Sequence, residues 1–392
     1  MRPRGPAEAD VPPAARRVVV AHPSPDVYGS DRQLLETVGA LVDAAWDVDV
    51  YLPHAGPLCR LLVQRGARVR VHAFPVLRKA LLRPAALVRH LRETASAALA
   101  LRRHLRSDPP ALVLVNTITI PVWLAGARLA RVPALVHVHE AEDSGNRLMR
   151  VALAAPNVLA RAVIANSRAA AAALGVVPGL GARTEVIHNG VPGPPDGAAP
   201  ARDRDTGDPL ELVVVGRLSP RKGIDVALEA AALLRARGVD ARLRVCGSVF
   251  PGYEWYEDEL RARAARDDLA GAVALAGYVH PTWPALADAD VVLVPSRVEP
   301  FGNTAVEAMH ARRPVVASGV QGLREVVTDG VTGLLVEPDD AVSLADAVEL
   351  LAQDPPLAHR LARAAADDAA RRFSVATYAD RVVDAVRRAA SR

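Results

Sequence analysis

Short apolar, β-branched runs alternate with Ala/Leu-rich helical stretches along the whole chain. The first group reads RVVVAHP (17–23), VDVYLP (48–53), VRVHAF (69–74), ALVLVNT (111–117), ALVHVH (134–139), AVIANS (162–167) and TEVIHNG (184–190). The second reads ELVVVG (211–216), LRVCGS (243–248), AVALAG (272–277), VVLVPS (291–296), PVVAS (314–318) and GLLVEP (333–338). Runs that are apolar on both faces suit parallel strands covered by helices on each side. Strand–helix alternation predicts open α/β sheets rather than segregated layers. Between the groups lies PGPPDGAAPARDRDTGDP (192–209), rich in Pro, Gly and charge and without an apolar period, which reads as a linker. A length of 392 residues fits two domains at roughly 100–200 residues each. The expected fold class is therefore α/β, with two Rossmann-like doubly wound domains facing across a cleft. The first spans 1–193, the linker 194–209 and the second 210–374. A final helix at 375–392 is a candidate to pack back on the first domain.

In open parallel sheets ligands bind at the carboxyl ends of strands. The residues just after each run are therefore the ones to inspect. After LVVVG come Arg217, Ser219, Pro220, Arg221, Lys222 and Gly223, and then a helical stretch. Arg217 and Lys222 stand five positions apart in one loop above a helix N-terminus. Two cations with free backbone amides make an anion site suited to a diphosphate. The bland alternative is a solvated basic loop.

The stretch EPFGNTAVEAMHARRPVVAS (299–318) carries two glutamates, Glu299 and Glu307, separated by seven residues. Thr304 and Glu307 fit the Thr-x-x-Glu capping box of a helix start. That accounts for Glu307 and leaves Glu299 unexplained. Pro300-Phe301-Gly302 blocks helix continuation and leaves backbone N–H groups free. A carboxylate accepts two hydroxyl hydrogen bonds well, so a polyol, a sugar or a ribose, is the natural partner of this segment.

Glu-x7-Glu within EPFGNTAVEAM, with GRLSPRKG upstream and GVTGLLVEPDD downstream, resembles the retaining glycosyltransferases of family 4, which have the GT-B fold. HNGV (188–191), VIANS (163–167) and the early Gly29 in YGSDRQLLE are similar to the same family. The resemblance covers nearly the whole chain and implies a UDP- or GDP-sugar donor in the second domain and an acceptor in the first. Carried over residue by residue, it implies that Arg217 and Lys222 hold the donor diphosphate, with Gly29 approaching it from the first domain. Glu299 would bind the transferred sugar, aided by the backbone of Phe301, Gly302 and Asn303, and Glu307 the ribose. Tyr278 is a candidate near the base. Many members have two adjacent glycines in the first loop; here Tyr28 precedes Gly29, so the loop is bulkier. His137 and His139 share one strand face, and periodicity does not choose between them. The resemblance selects His139 as the active-site histidine. Glu140 and Glu142 are candidates to serve the acceptor. Transfer with retention is likewise what the resemblance implies.

Composition narrows the remaining choices. Two cysteines, Cys59 and Cys246, make no disulfide framework, and no run reaches the roughly 18 apolar residues of a transmembrane helix, so a cytoplasmic protein is expected. The chain offers Asp-x-Asp pairs, the motif of a metal clamp. Asp203-Arg204-Asp205 falls in the linker, and Asp288-Ala289-Asp290 precedes its strand, at the end away from the ligand. No metal and no cofactor are therefore expected; the cations and the helix N-terminus would neutralise the leaving diphosphate. The formal charge is +4, unevenly spread. Residues 78–106 hold Arg78, Lys79, Arg83, Arg89, Arg92, Arg102, Arg103 and Arg106 against Glu93 alone, and their apolar positions have helical spacing. A helix packed on its own sheet with a solvated basic face is preferred. Peripheral contact with the inner face of an anionic membrane, attractive for a lipid-linked acceptor, stays open. No aromatic stacking set accompanies the arginines, which argues against nucleic acid. The alternatives to a glycosyltransferase are an epimerase or phosphorylase of the same fold, or a non-catalytic sugar-nucleotide-binding partner.

Overall fold

A computed structural model describes residues 16–77, 84–141, 147–198, 207–250 and 252–391. The chain divides into two compact units, Met1–Gly190 with Ala376–Arg392, and Val191–Val375. Each of the thirteen apolar runs contains a strand, seven in one sheet and six in the other.

In the first unit the strands are β1 (Arg17–Ala21), β2 (Asp47–Leu52), β3 (Arg68–Val71), β4 (Leu112–Val115), β5 (Ala134–Val138), β6 (Ala162–Ala165) and β7 (Thr184–Val186). Their order is β3-β2-β1-β4-β5-β6-β7, and every pairing is parallel. Parallel neighbours need crossovers, and helices supply them: α1 (Gly29–Asp43), α2 (Pro57–Gln64), α3 (Pro84–Ser107), α4 (Pro121–Ala130), α5 (Arg147–Ala154) and α6 (Arg168–Leu174). Alternate residues of the central strands feed two cores. Val113, Val115, Val136 and Val138 pack under α3 and α4 with Trp123, whereas Val18, Val20, Leu112 and Leu114 pack with Leu34 and Leu41 of α1. The second core also takes Tyr378, Val382 and Val386. They lie on the last helix of the chain (Val375–Ala390), which covers that face of the sheet. Arg161 and Arg381 hold this helix by donating to the carbonyls of Ala389 and Val186 respectively.

Helix α3 is the basic helix of the sequence. Over its described side chains Ala98, Leu101 and Leu105 are buried, while Arg92, Arg103 and Arg106 are exposed. Gly126 lets α4 approach closely, since a Cβ there would lie 2.7 Å from Leu101 Cβ. The described C-terminal part of the apolar stripe, Ala98, Leu101 and Leu105, is thus spent on intramolecular packing. Arg78, Lys79 and Arg83 fall outside the described residues, as do Glu142, Asp203 and Asp205, and the Arg89 side chain is likewise not described.

In the second unit the strands are β8 (Leu210–Val215), β9 (Ala241–Cys246), β10 (Val273–Gly277), β11 (Val291–Val294), β12 (Val315–Ser318) and β13 (Leu334–Val336), ordered β10-β9-β8-β11-β12-β13 and again all parallel. The helices are α7 (Ile224–Ala236), α8 (Glu254–Ala264), α9 (Trp283–Ala287), α10 (Asn303–His310), α11 (Leu323–Val326), α12 (Ala341–Gln353) and α13 (Pro355–Arg372), so the chain's last helix is α14. In each sheet the strand order reverses beside the first strand, between β1 and β4 and between β8 and β11. Such switch points open a crevice at the carboxyl ends, because the two crossovers leave in opposite directions. Among the described residues no helix is long and apolar enough to cross a membrane.

Candidate functional site

The second unit's switch point is lined by the loops after β8 and β11. After β8 the chain passes through Gly216 and Arg217 into a 3-10 turn, Pro220–Lys222, and then Gly223, which starts α7. Gly223 has φ +62°, and a Cβ there would lie 1.9 Å from the Pro295 carbonyl oxygen. The loop can therefore rest on the end of β11 only because position 223 has no side chain. A similar close approach occurs between Gly247, after β9, and the Gly216 carbonyl. This packing carries Lys222 to Glu299, and the two side chains form an ion pair. Arg217 lies over the Phe250 ring, 3.7 Å from its centroid, a cation–π contact.

Glu299 is fixed from several sides. Its backbone N–H donates to Gln321 Oε1 at 3.0 Å, its carbonyl accepts from Gly322 N–H at 3.0 Å, and Ser296 Oγ donates to its carboxylate at 3.4 Å. Gly322 must be glycine for this, as a Cβ would lie 2.3 Å from the Pro300 carbonyl oxygen. The Phe301 side chain is buried edge-on against Phe373, with centroids 5.6 Å apart, so position 301 offers a ligand its backbone rather than its ring. Gly302 follows at φ +116°, and α10 begins at Asn303. The N-terminal amides of α10 then open at the carboxyl end of β11, where an anion or a polar ligand is favoured.

The capping box expected from Thr304 and Glu307 does not form. The N-cap is Gly302, which has no side chain to accept from the first turn. Thr304 instead donates its hydroxyl to the Val215 carbonyl at 3.2 Å, tying α10 to β8. Glu307, now in the second turn, accepts from Thr282 Oγ1 at 3.3 Å. Thr282 leads into α9, shortly after β10, and Tyr278 stands half exposed at the end of that strand. Glu307 and Glu299 thus face different neighbours, as two separate contacts would require.

Sequence reasoning missed Arg297. Its guanidinium meets Asp225 in a bidentate pair (2.9 and 2.6 Å), donates to Asp339 at 2.8 Å and to the Pro220 carbonyl at 2.7 Å. It binds the 3-10 turn, the first turn of α7 and the segment after β13 to the end of β11. Burial pulls the Asp225 carboxyl up, but hydrogen bonds from Arg297 and Tyr256 and the Arg297 charge outweigh it and leave it below the usual carboxylate range. Only its place after an apolar run could have flagged Arg297.

In the first unit, His22 follows β1, Asn116 follows β4 and His139 follows β5. All three are buried, and they form one hydrogen-bonded chain with Asp31. His22 Nε2 lies 2.7 Å from Asp31 Oδ1; Asn116 Nδ2 lies 3.0 Å from His22 Nδ1; His139 Nε2 lies 3.0 Å from Asn116 Oδ1. Asp31 is the third residue of α1, whose first residue is Gly29, and its other oxygen accepts the Tyr28 N–H at 2.8 Å. The His139 ring lies against that of His137, with centroids 4.0 Å apart and the planes tilted by 43°. Burial drives the His137 pKa down to about 3. Burial, with His137 and His22 beside it, holds that of His139 well below the ordinary value. Both rings are therefore neutral near pH 7. Glu140 accepts from the Thr117 hydroxyl and from the His139 N–H (3.0 Å), and burial raises its pKa against those bonds. It is thereby engaged in holding His139. Asp288 and Asp290 sit at the amino end of β11. Asp288 pairs with Arg244 at 2.9 Å and Asp290 accepts the Glu211 N–H at 2.8 Å.

Two family models match the chain: "Glycosyl transferase 4-like domain" over residues 28–190 and "Glycosyl transferases group 1" over 200–368. The chain belongs to the family 4-like glycosyltransferases of GT-B fold. It is 35% identical over 173 residues to the alpha-D-kanosaminyltransferase of Streptomyces kanamyceticus, a match covering 44% of each chain. It is 37% identical over 205 residues to the D-inositol 3-phosphate glycosyltransferase of Kribbella flavida, over 48% of this chain and 47% of that one. The matches thus span less than half the length of these relatives. Among solved structures, Anabaena HepE in complex with UDP and glucose superposes with a TM-score of 0.78 at 24% identity, over 94% of this chain and 98% of that one, which establishes the shared fold.

Proposed function

We propose that the protein is a retaining, metal-independent glycosyltransferase that moves a hexosyl-type sugar from a UDP- or GDP-sugar to an acceptor hydroxyl, in the biosynthesis of a polysaccharide, glycolipid or glycoconjugate. The observation that carries this reading is the Lys222–Glu299 pair set beside the amides of α10 at the second switch point. The pair places a cation and a carboxylate together, which is what a ligand carrying both phosphate and hydroxyls demands. A HepE structure with UDP and glucose on the same fold agrees with such a donor. Lys222 and Arg217 bind the diphosphate and, with the helix N-terminus, neutralise it as it leaves. On donor binding Lys222 exchanges its carboxylate partner for phosphate, which releases Glu299 to accept sugar hydroxyls. Glu307 takes the ribose, Tyr278 lies towards the base, Gly29 lets the backbone of the first loop approach the ligand, and His139 meets the substrate in the first unit. The acceptor hydroxyl attacks on the face the diphosphate leaves, and a leaving-group oxygen takes its proton. A cytoplasmic setting, with peripheral contact at the inner membrane face if the acceptor is lipid-linked, belongs to the same proposal.

The test is a screen of UDP- and GDP-sugars for thermal stabilisation and slow hydrolysis, run with and without EDTA. One donor should stabilise the protein, and Lys222→Ala should abolish most of that effect. An equal response in the variant would remove the assigned site. NMR of the product should show the anomeric configuration of the donor kept; inversion would refute retention.

A further inference from the structure

The chain of hydrogen bonds behind His139 has a direction that its chemistry imposes. Asp31, as a carboxylate, can only accept, so His22 carries its proton on Nε2. With His22 as the neutral imidazole, its Nδ1 is then a lone pair and accepts from the Asn116 amide NH2. That leaves Asn116 Oδ1 to face His139, which must donate from Nε2. The remaining ring nitrogen, His139 Nδ1, is then a lone pair; it is buried from solvent and has no hydrogen-bond partner among the described residues. Each link is set by the one before, and the sequence starts at the carboxylate that also holds the N–H of Tyr28, next to Gly29.

We propose that Asp31, His22 and Asn116 are positioning residues that hold His139 as the Nε2–H tautomer and so make its free nitrogen an acceptor. This rests on the reading that His139 meets the substrate. It adds what kind of group can be met there: a hydroxyl that donates, as on a sugar, and not a phosphate or carbonyl oxygen, which a lone pair repels. The three residues come from α1, the end of β1 and the end of β4, so the arrangement is a property of the folded switch point and not of any local motif. All are nearly inaccessible to water, which keeps solvent from supplying a competing donor or acceptor.

Asp31→Asn makes the opposite prediction almost without changing shape. The asparagine oxygen is needed by the Tyr28 N–H, so its NH2 faces His22 Nε2. His22 must then move its proton to Nδ1, the Asn116 amide must turn over, and His139 must carry its proton on Nδ1. An Asp-to-Asn change behind a histidine elsewhere leaves geometry intact and sets the wrong tautomer. The experiment is long-range 1H–15N NMR of the full chain with 15N-labelled histidine at neutral pH, His139 being assigned by its loss in His139→Ala. The expected result is a protonated, pyrrole-type Nε2 in the unsubstituted protein and a protonated Nδ1 in Asp31→Asn. Asn116→Leu, which cuts the chain, should give a mixture of the two. A protonated Nδ1 at the outset, or the same spectrum in both variants, overturns the proposal. With the donor found in the screen, Asp31→Asn should lower turnover by about tenfold or more and have no further effect in a His139→Ala background. Equal loss in both backgrounds overturns the claim that Asp31 acts through His139. Full turnover in His139→Ala overturns instead the reading that His139 meets the substrate, while the NMR result decides the tautomer independently.

Discussion

In the proposed reading Lys222 and Glu299 serve both stability and ligand binding, and the two roles can be separated. The side chains are 29% and 12% exposed, between a surface pair and a buried one. Exposed pairs contribute about 0–1 kcal/mol, whereas stranding one partner of a buried pair costs about 3–5 kcal/mol. Lys222→Met should therefore destabilise by about 1–2 kcal/mol, chiefly by leaving the Glu299 carboxylate without its cation. Glu299→Gln in the same chain removes the stranded charge, so the double variant should recover part of that loss, with a coupling of about 1 kcal/mol. Binding behaves differently. Losing one charge-assisted bond to a diphosphate weakens it by about 1.5–3 kcal/mol, roughly 10- to 150-fold, and Glu299→Gln should not rescue that. The assay is urea unfolding, read as midpoint shifts at a common slope, beside calorimetric titration with UDP or GDP. Two results would refute the reasoning. One is a double variant no more stable than Lys222→Met, which would mean the pair is not coupled. The other is nucleotide affinity restored by Glu299→Gln, which would mean that Lys222 serves only to neutralise Glu299.

Other substitutions probe the scaffold and the two glutamates. Gly223→Ala should destabilise by well over the ~1 kcal/mol of a left-handed alanine, because its Cβ meets the Pro295 carbonyl; Gly238→Ala, at φ +88° with nothing within 4 Å, should show only the smaller strain. If the two variants shift the urea midpoint alike, the close approach at Gly223 is not what that residue provides. Glu299→Gln should reduce turnover more than nucleotide affinity and Glu307→Gln the reverse; steady-state kinetics and titration that move together in both would sink the division. His137 is neutral when folded, with a pKa of about 3 against an ordinary value near 6.5. The unfolded chain then binds more protons between those values, so stability falls as pH drops through that window, by up to ~1.4 kcal/mol per pH unit. His137→Leu should flatten this acid limb, and a limb of unchanged steepness would assign it to other groups.

The sequence disclosed the sheets because buried parallel strands are apolar on both faces, and few other elements are. That reason holds for the nine inner strands; β3, β7, β10 and β13 are partly or largely exposed and are recognised by their β-branched runs alone. The strand-end rule then led to Lys222 and Glu299, since a switch point gathers the loops that leave its strands. It failed where a local motif looked sufficient. Thr304-x-x-Glu307 has capping-box spacing, but Gly302 lies in the left-handed region two positions earlier and starts the helix there, which frees Thr304 to bond β8 and Glu307 to bond Thr282. Local spacing cannot reveal such a shift of one or two residues, because the carbonyl that claims Thr304 is 89 positions away.

The chain behind His139 was hidden for a related reason with a different consequence. His22 and Asn116 stand directly after apolar runs, RVVVA and LVLV, where the strand-end rule would have placed them. Each alone looks like an ordinary polar residue ending a strand, and they are 94 positions apart. Only the pairing of β1 with β4 sets them side by side, and only the further pairing of β4 with β5 brings His139 into line. The sheet order that makes the crevice thus also assembles the chain. A buried polar group without a partner costs about 1–3 kcal/mol, and Asp31, His22, Asn116 and His139 each satisfy the next. Satisfying them in series leaves a single nitrogen over, at His139. The same energetic rule that stabilises the chain therefore decides which ring nitrogen of His139 is left without a partner.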